Sequence, residues 1–311
     1  MLLCRALCQD RFREFLETNP RSSAQIRGEK TKTLISVLQL GTLDYSTGLS
    51  LQQKLVDLRK EARIGDTLLL LEHTPVITLG RNAKTANVVA SHELLTRRGV
   101  ERFDCDRGGD VTFHGPGQLV GYPIFDLREL PSHDAKRKTM GAVEYVRKLE
   151  EVLIRSCADF GIPTKRISGL TGVWTTPEHV ETAALGRPVE PSSTVSESKI
   201  AAIGVHISRA VTSHGFALNV NVDLDYFNLI IPCGITSKPV TSMAHELGKP
   251  LSMQDVAHSI SRNFGTVFES QMLWLEELDS LLKPSLGVPM RPPENLRKLH
   301  KKEEAEKTSW A

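Results

Sequence analysis

Three stretches of this sequence put reactive side chains where a plain core would not hold them. Cys233 stands between Pro232 and Gly234 in the run NLIIPCG. The proline fixes a turn and the glycine leaves room beside the sulfur, so the thiol is a candidate nucleophile. Attack requires the thiolate, which a neighbouring cation or exposed backbone N–H groups can stabilise. Lys199 opens the apolar run KIAAIGVHI, with almost no charge for eight positions after it. Desolvation favours the neutral form of an amine, so a lysine placed this way can accept and donate protons. The third stretch, Arg107 to Pro123, reads RGGDVTFHGPGQLVGYP and contains five glycines and two prolines. It is a poor helix and a repeatedly broken strand, and one use for such a sequence is to bring bare backbone amides close to a ligand. Arg107, Thr112, His114 and Gln118 are the reactive groups spaced along it, and His73 is a further polar candidate. Each feature also has a plain structural reading: a turn array, an inert turn thiol, a solvated lysine at a strand start, and a hydrogen-bonded structural histidine.

The elements that must position these groups follow from periodicity. TLISVLQLG (33 to 41) reads as a strand, and Leu51, Leu55 and Leu58 recur at helical spacing between Asp44 and Ile64. TLLLLEH (67 to 73) is the pattern of a strand buried on both faces, delivering His73 to its edge. PVITLGR (75 to 81) reads as another short strand, and Ser91 to Arg98 as a short capped helix. The Gly-rich stretch then lies between apolar runs at 100 to 103 and 119 to 125, as if a sheet were interrupted to make the floor of a site. Gly141 to Phe160 is the clearest amphipathic helix, with Cys157 on its apolar stripe as a small core residue. A strand is expected at 170 to 174, then an antiparallel pair from Lys199 to about Leu224 joined by a loop of moderate length, and a last helix from Met253 to Phe268.

Composition bounds the rest. The chain has 311 residues, 40% of them hydrophobic and 24% charged, with a net charge of +2. These values suit a globular protein and give no general attraction to nucleic acid or membrane. Its apolar runs are too short to span a bilayer. Five cysteines with no CxxC pair and no Cys/His grouping at zinc spacing indicate neither a disulfide framework nor a structural metal. The expected organisation is an N-terminal extension at 1–33, a catalytic domain at 34–283 with a flexible insertion at 175–198, and a charged tail at 284–311. The extension has seven basic against four acidic residues, a net of 7 − 4 = +3, but it is not acidic-poor and Leu3, Leu7, Phe12, Phe15 and Leu16 do not share one helical face, so a mitochondrial targeting segment is a candidate reading that pattern alone supports weakly.

Five motifs together resemble one family. They are LLLLEHTPVITLGR (68 to 81), RGGDVTFHGPGQLVGYPIFDL (107 to 127), KIAAIGVHI (199 to 207), HGFALNV (214 to 220) and PCGI (232 to 235). The chain from about Leu34 to Phe268 is similar to the octanoyl-[acyl carrier protein]:protein N-octanoyltransferases, the lipoate-protein ligase B family, in its eukaryotic mitochondrial form. The resemblance implies an α/β fold of α+β type, with a mixed β-sheet and helices packed on one side, like the biotin and lipoate protein ligases. It implies that Cys233 takes an octanoyl group from the phosphopantetheine thioester of acyl carrier protein. Lys199 would lower the cysteine pKa and move the protons as the acyl group passes to a lysine of a lipoyl domain. The pocket it implies is lined by Arg107, Gly108, Gly109, Asp110, Val111, Thr112, Phe113 and His114, by Ala202, Ile203 and Gly204, and by Gly215, Phe216 and Ala217, with His73 behind it. No metal and no cofactor are implied beyond the octanoyl-phosphopantetheine arm of the donor. The implied partners are octanoyl-acyl carrier protein and the lipoyl domains of 2-oxoacid dehydrogenases and glycine cleavage H protein, served by a monomer in mitochondria. The alternatives are an ATP-dependent lipoate or biotin ligase, a non-catalytic carrier-protein-binding assembly factor, and a Cys-His hydrolase.

Overall fold

The computed structural model describes residues 33–132, 138–176, 197–234 and 238–282, with the side chains of Cys233 and Leu282 outside that set. The expected extension, insertion and tail lie almost wholly outside the described residues. The unit that begins at Leu34 is built on an eight-stranded mixed sheet in the order β11-β1-β2-β6-β10-β9-β8-β7. Its strands are β1 (Leu34–Leu43), β2 (Asp66–His73), β6 (Gln118–Ile124), β7 (Thr164–Ile167), β8 (Leu170–Thr175), β9 (Lys199–Ser208), β10 (Val211–Asn219) and β11 (Gln271–Trp274). β1 runs parallel to β2 and β11, and every other pairing in this sheet is antiparallel. A second sheet holds β4 (Glu101–Asp104), β3 (Val76–Leu79) and β5 (Val111–His114), in that order.

The large sheet is covered on both faces, which corrects the expectation of helices on one side. Within β2, Leu68 and Leu70 enter one core and Leu69 and Leu71 another. The first core is closed by α3 (Ala142–Ala158) and α5 (Met253–Val267), through Leu149, Leu153, Ile260 and Phe264. The second is closed by α1 (Tyr45–Lys60), through Leu51, Leu55 and Leu58. A run of leucines without polar alternation requires this arrangement, because each face then buries about 1.5–3 kcal/mol of apolar side chain per residue. Asp44 caps α1 by accepting from the Thr47 N–H (2.8 Å), and Arg59 and Lys60 complement the dipole at its other end. Arg59 also forms a buried ion pair with Asp66 (2.8 Å), whose carboxylate accepts from the Asp126 N–H as well (2.9 Å). That joins the end of α1 to the start of β2 and the exit of β6.

Two further expectations are corrected. The Gly-rich stretch is not a broken strand throughout: Gln118–Ile124 is a seven-residue strand, buried along its whole length, in the middle of the sheet. Gly121 is required there because the Phe216 ring occupies the place of a side chain, with a Cβ built on Gly121 falling 2.2 Å from that ring. Pro123 is tolerated because direct pairing with β10 lapses after Gly121↔Phe216. The Thr212 hydroxyl bridges the gap, donating to Pro123 O (2.7 Å) and accepting from the Phe125 N–H (2.9 Å). The β9–β10 connection is a two-residue turn, Arg209–Ala210, with both φ positive (52° and 65°), rather than a moderate loop. Neither residue carries the Asn-Gly signal that marks such turns in a sequence. The short α2 (His92–Arg97) lies where expected, and α4 (Met243–Leu247), β7 and β11 were not foreseen.

Candidate active site

A narrow pocket enclosing about 490 Å³ of empty space, its open mouth included, lies between the two sheets. One wall is the loop and strand from Arg107 to His114, contributing Arg107, Gly108, Gly109, Asp110, Thr112 and His114. The other wall is the surface of the large sheet, with Ala202, Ile203 and Gly204 from β9 and Gly215, Phe216 and Ala217 from β10. Val111 and Phe113, expected on the wall, are instead buried in a third core with Ile77, Leu79 and Leu95. Strand alternation sends them to the face opposite Thr112 and His114. Tyr45, Val120, Tyr122 and His214 complete the lining, and sequence reasoning did not find them.

The walls approach closely because glycine meets glycine. The Gly108 N–H donates to Val205 O (3.0 Å), and a Cβ on Gly204 would fall 2.7 Å from Gly108 O. Arg107 is 7% exposed, and its guanidinium donates to Thr78 Oγ1 (Nε, 3.1 Å), to Thr78 O (Nη2, 2.7 Å) and to Gly108 O (Nη1, 3.1 Å). The cation is thus held at the wall by neutral oxygens, a fixed positive charge facing the pocket.

Behind the pocket, buried polar groups satisfy one another. His73 donates from Nδ1 to Leu43 O (3.1 Å), and its Nε2 accepts from the Tyr122 hydroxyl (2.7 Å). His114 Nδ1 donates to Gln118 Oε1 (2.7 Å), and Gln118 Nε2 donates to Asn219 Oδ1 (2.8 Å). Asn219 Nδ2 in turn donates to Thr241 O (2.9 Å), and the Thr241 N–H donates to Lys199 O (3.0 Å). The backbone of Lys199 is therefore tied to a wall of the pocket through three side chains. Burial lowers the pKa of His73 to about 4 and that of His114 to about 3, so both are neutral at pH 7. His214 is also lowered, first by burial and against the opposing pull of Asp106, which it meets at 2.7 Å. Burial raises the Tyr45 and Tyr122 hydroxyls well above their ordinary range.

Lys199 is the first residue of β9, is 7% exposed, and holds its ammonium 4.7 Å above the Trp174 ring. Cys233 lies in a single 3₁₀ turn, Pro232–Gly234, whose Gly234 N–H donates to Ile231 O (3.1 Å); the cysteine side chain lies outside the described residues. The turn adjoins the pocket at Asp110, since a Cβ on Gly234 would fall 3.1 Å from Asp110 Oδ2. Cys157 is buried within α3, and burial pushes its thiol up to about 12, which makes it inert. Among the described residues no group of three His, Cys, Asp or Glu is placed to hold a metal ion, and no helix is long and apolar enough to cross a membrane.

Comparison with known proteins gives this geometry a context. A family pattern described as the lipoyl protein ligase A/B catalytic domain matches residues 44–265. The chain is 61% identical over 267 residues to an octanoyltransferase of Koribacter versatilis, covering 86% of this chain and 97% of that one. It is 55% identical over 257 residues to an octanoyltransferase of Acidobacterium capsulatum, with coverages of 82% and 98%. Among solved structures, a bi-partite lipoate protein ligase from Thermoplasma acidophilum superposes with a TM-score of 0.57 at 16% identity, covering 88% of this chain and 92% of that one. A lipoate-protein ligase A bound with ATP gives a TM-score of 0.54 at 15% identity, with coverages of 88% and 94%. At such identities the structural likeness shows the fold: a large mixed sheet with packed helices.

Proposed function

This chain belongs to the lipoyl protein ligase A/B catalytic-domain family, and from that premise we propose that it is an acyltransferase moving an octanoyl group from acyl carrier protein to a lysine of a lipoyl domain. The observation that carries the reading is the 61% identity to an octanoyltransferase over nearly all of that protein's length. The ATP-dependent ligases share the fold, so fold alone does not separate the two activities. A cysteine in a turn beside the pocket supports the transferase reading, because an acyl-adenylate route has no use for one.

In the reaction we propose, the Cys233 thiolate attacks the thioester carbonyl of the donor, and the tetrahedral intermediate collapses with loss of the pantetheine thiolate, which takes a proton from Lys199. The acyl chain lies in the pocket against Phe216, Ala217 and Val120. The ε-amine of the acceptor lysine then attacks the acyl-enzyme. Lys199, now neutral, accepts the amine proton, and the Cys233 thiolate leaves as the amide forms. A thioester is already activated, so the cycle balances without ATP. Incubation with octanoyl-carrier protein and an unmodified lipoyl domain, without nucleotide, should add one octanoyl mass to the domain. Product formed only from free octanoate and ATP would assign the chain to the ligases instead.

The finer partners we propose are the lipoyl domains of 2-oxoacid dehydrogenases and the glycine cleavage H protein, served by a monomer. A mitochondrial location, and with it the eukaryotic form of the family, rests only on the basic residues of segment 1–33, since the relatives named above are bacterial. A reporter fused to that segment and expressed in a eukaryotic cell tests the location, and cytosolic fluorescence would exclude it.

A further inference from the structure

Asn87 ties together two parts of the site that are distant in sequence. Its backbone C=O accepts from the Ile231 N–H (2.7 Å), Val88 bridges Ile230 in antiparallel fashion, and the N–H groups of Val89 and Ala90 both donate to Leu229 O. The segment after Asn87 is thus zipped to the chain that leads into the Pro232–Gly234 turn. Its side chain, buried to 9% exposure, reaches the other way and donates from Nδ2 to Asp110 Oδ2 on the pocket wall. The second carboxylate oxygen, Oδ1, accepts from the N–H groups of Lys84 (3.0 Å) and Val111 (2.8 Å). Gly234 closes the arrangement. With φ at +68° and a Cβ position 3.1 Å from Asp110 Oδ2 and 3.4 Å from Asn87 Nδ2, it lies against both side chains.

We propose that the Asn87–Asp110 pair is a positioning latch, which fixes the Pro232–Gly234 turn, and with it Cys233, against the acyl pocket. The inference rests on the reading of Cys233 as the nucleophile. Asp110 then acts through its hydrogen bonds: three donors occupy its two oxygens, which makes the carboxylate a hub within the wall rather than a group offered to substrate. The latch matters because an attacking atom displaced by about 1 Å loses rate by roughly 10²-fold.

The chemistry of the pair supplies its own test. Asn87→Asp sets two carboxylates face to face and removes the bond. Adding Asp110→Asn restores it with the roles exchanged, the new amide donating to the new carboxylate. Asp110→Asn alone costs less than Asn87→Asp, because Asn87 can turn its amide and keep one hydrogen bond. The measurement is the single-turnover rate of enzyme acylation by an octanoyl-pantetheine thioester, followed by intact mass as a function of donor concentration. Asn87→Asp should slow the maximal rate by about 10²-fold while the half-saturating donor concentration changes little, and the double variant should recover most of the loss. If Asn87→Asp does not fold, Asn87→Ser, which breaks the bond without a charge clash, must show the slow step in a folded protein. Acylation at the wild-type rate in the folded single variant, or a double variant as slow as Asn87→Asp, overturns the latch. An adduct that persists in Cys233→Ala overturns the nucleophile reading beneath it, an outcome distinct from either.

Discussion

Acidification should weaken this protein through the histidines buried behind its pocket. His73 and His114 have folded-state pKa values lowered to about 4 and about 3, in both cases chiefly by burial. The unfolded chain binds a proton at each below pH ~6.5, while the folded chain does not. The stability conferred by burying them neutral is therefore whole above pH 6.5 and falls as the pH drops toward the folded values. Between pH 7.5 and 5.0 each histidine costs about 2 kcal/mol and the pair about 4 kcal/mol. That is a large part of the roughly 5–15 kcal/mol typical of a folded domain. His214, lowered as well, acts in the same sense. Among the charged groups around the pair, Asp44 raises the pKa of His73, whereas His73, Arg107 and His214 lower that of His114. Asp106, Asp126 and Asp159 are shifted downward and titrate below this window. Asp66 is shifted upward by burial and opposes the trend, so the comparison is made between variants at the same two pH values. Urea unfolding of the wild type should show the full loss, and His114→Asn, less stable at pH 7.5, should lose only about half as much on acidification. A wild-type loss under about 1 kcal/mol, or an equal loss in the variant, would refute the reasoning.

Two further substitutions address the site and its frame. Lys199→Arg keeps a positive charge but cannot serve as a base, because guanidinium does not deprotonate in proteins. Acylation should persist at a reduced rate while transfer to the lipoyl domain falls further, by about 10²- to 10⁴-fold. Equal losses in both half-reactions of a folded variant would remove the base role. Gly121→Ala drives a methyl group to within 2.2 Å of the Phe216 ring, which is buried and stacked on Phe264 at 6.1 Å between centroids. It should cost about 1–3 kcal/mol and raise the KM for the acyl donor, since Phe216 also lines the pocket. An unchanged Tm would show that the ring can yield.

Legibility in the sequence followed the range of the interactions. Helix α3 was expected over 141–160 and spans Ala142–Ala158, because a single amphipathic stripe is a local signal. The leucine run of β2 is the pattern of a strand buried on both faces, which requires helices on both sides; the family resemblance points to one side, and the structure follows the leucines. A contiguous motif puts Val111 and Phe113 on the pocket wall, whereas the period of two in Val-Thr-Phe-His separates them from Thr112 and His114. Tyr45 reads as an ordinary first residue of a helix, and only the packing of α1 against the sheet brings it to the pocket. Tyr122 arrives through the register that sets it opposite Leu69. Asn87 belongs to no motif at all. Its partners lie 23 and 144 residues away, at Asp110 and Ile231, and no periodicity reports contacts of that kind.

The proposed reaction depends on a covalent intermediate at Cys233. The most direct measurement is the intact mass of the enzyme after mixing with octanoyl-carrier protein, without ATP and without acceptor. One added octanoyl group is expected, absent in Cys233→Ala and discharged when a lipoyl domain is supplied. An adduct that survives Cys233→Ala, or one that forms only with ATP, would contradict it.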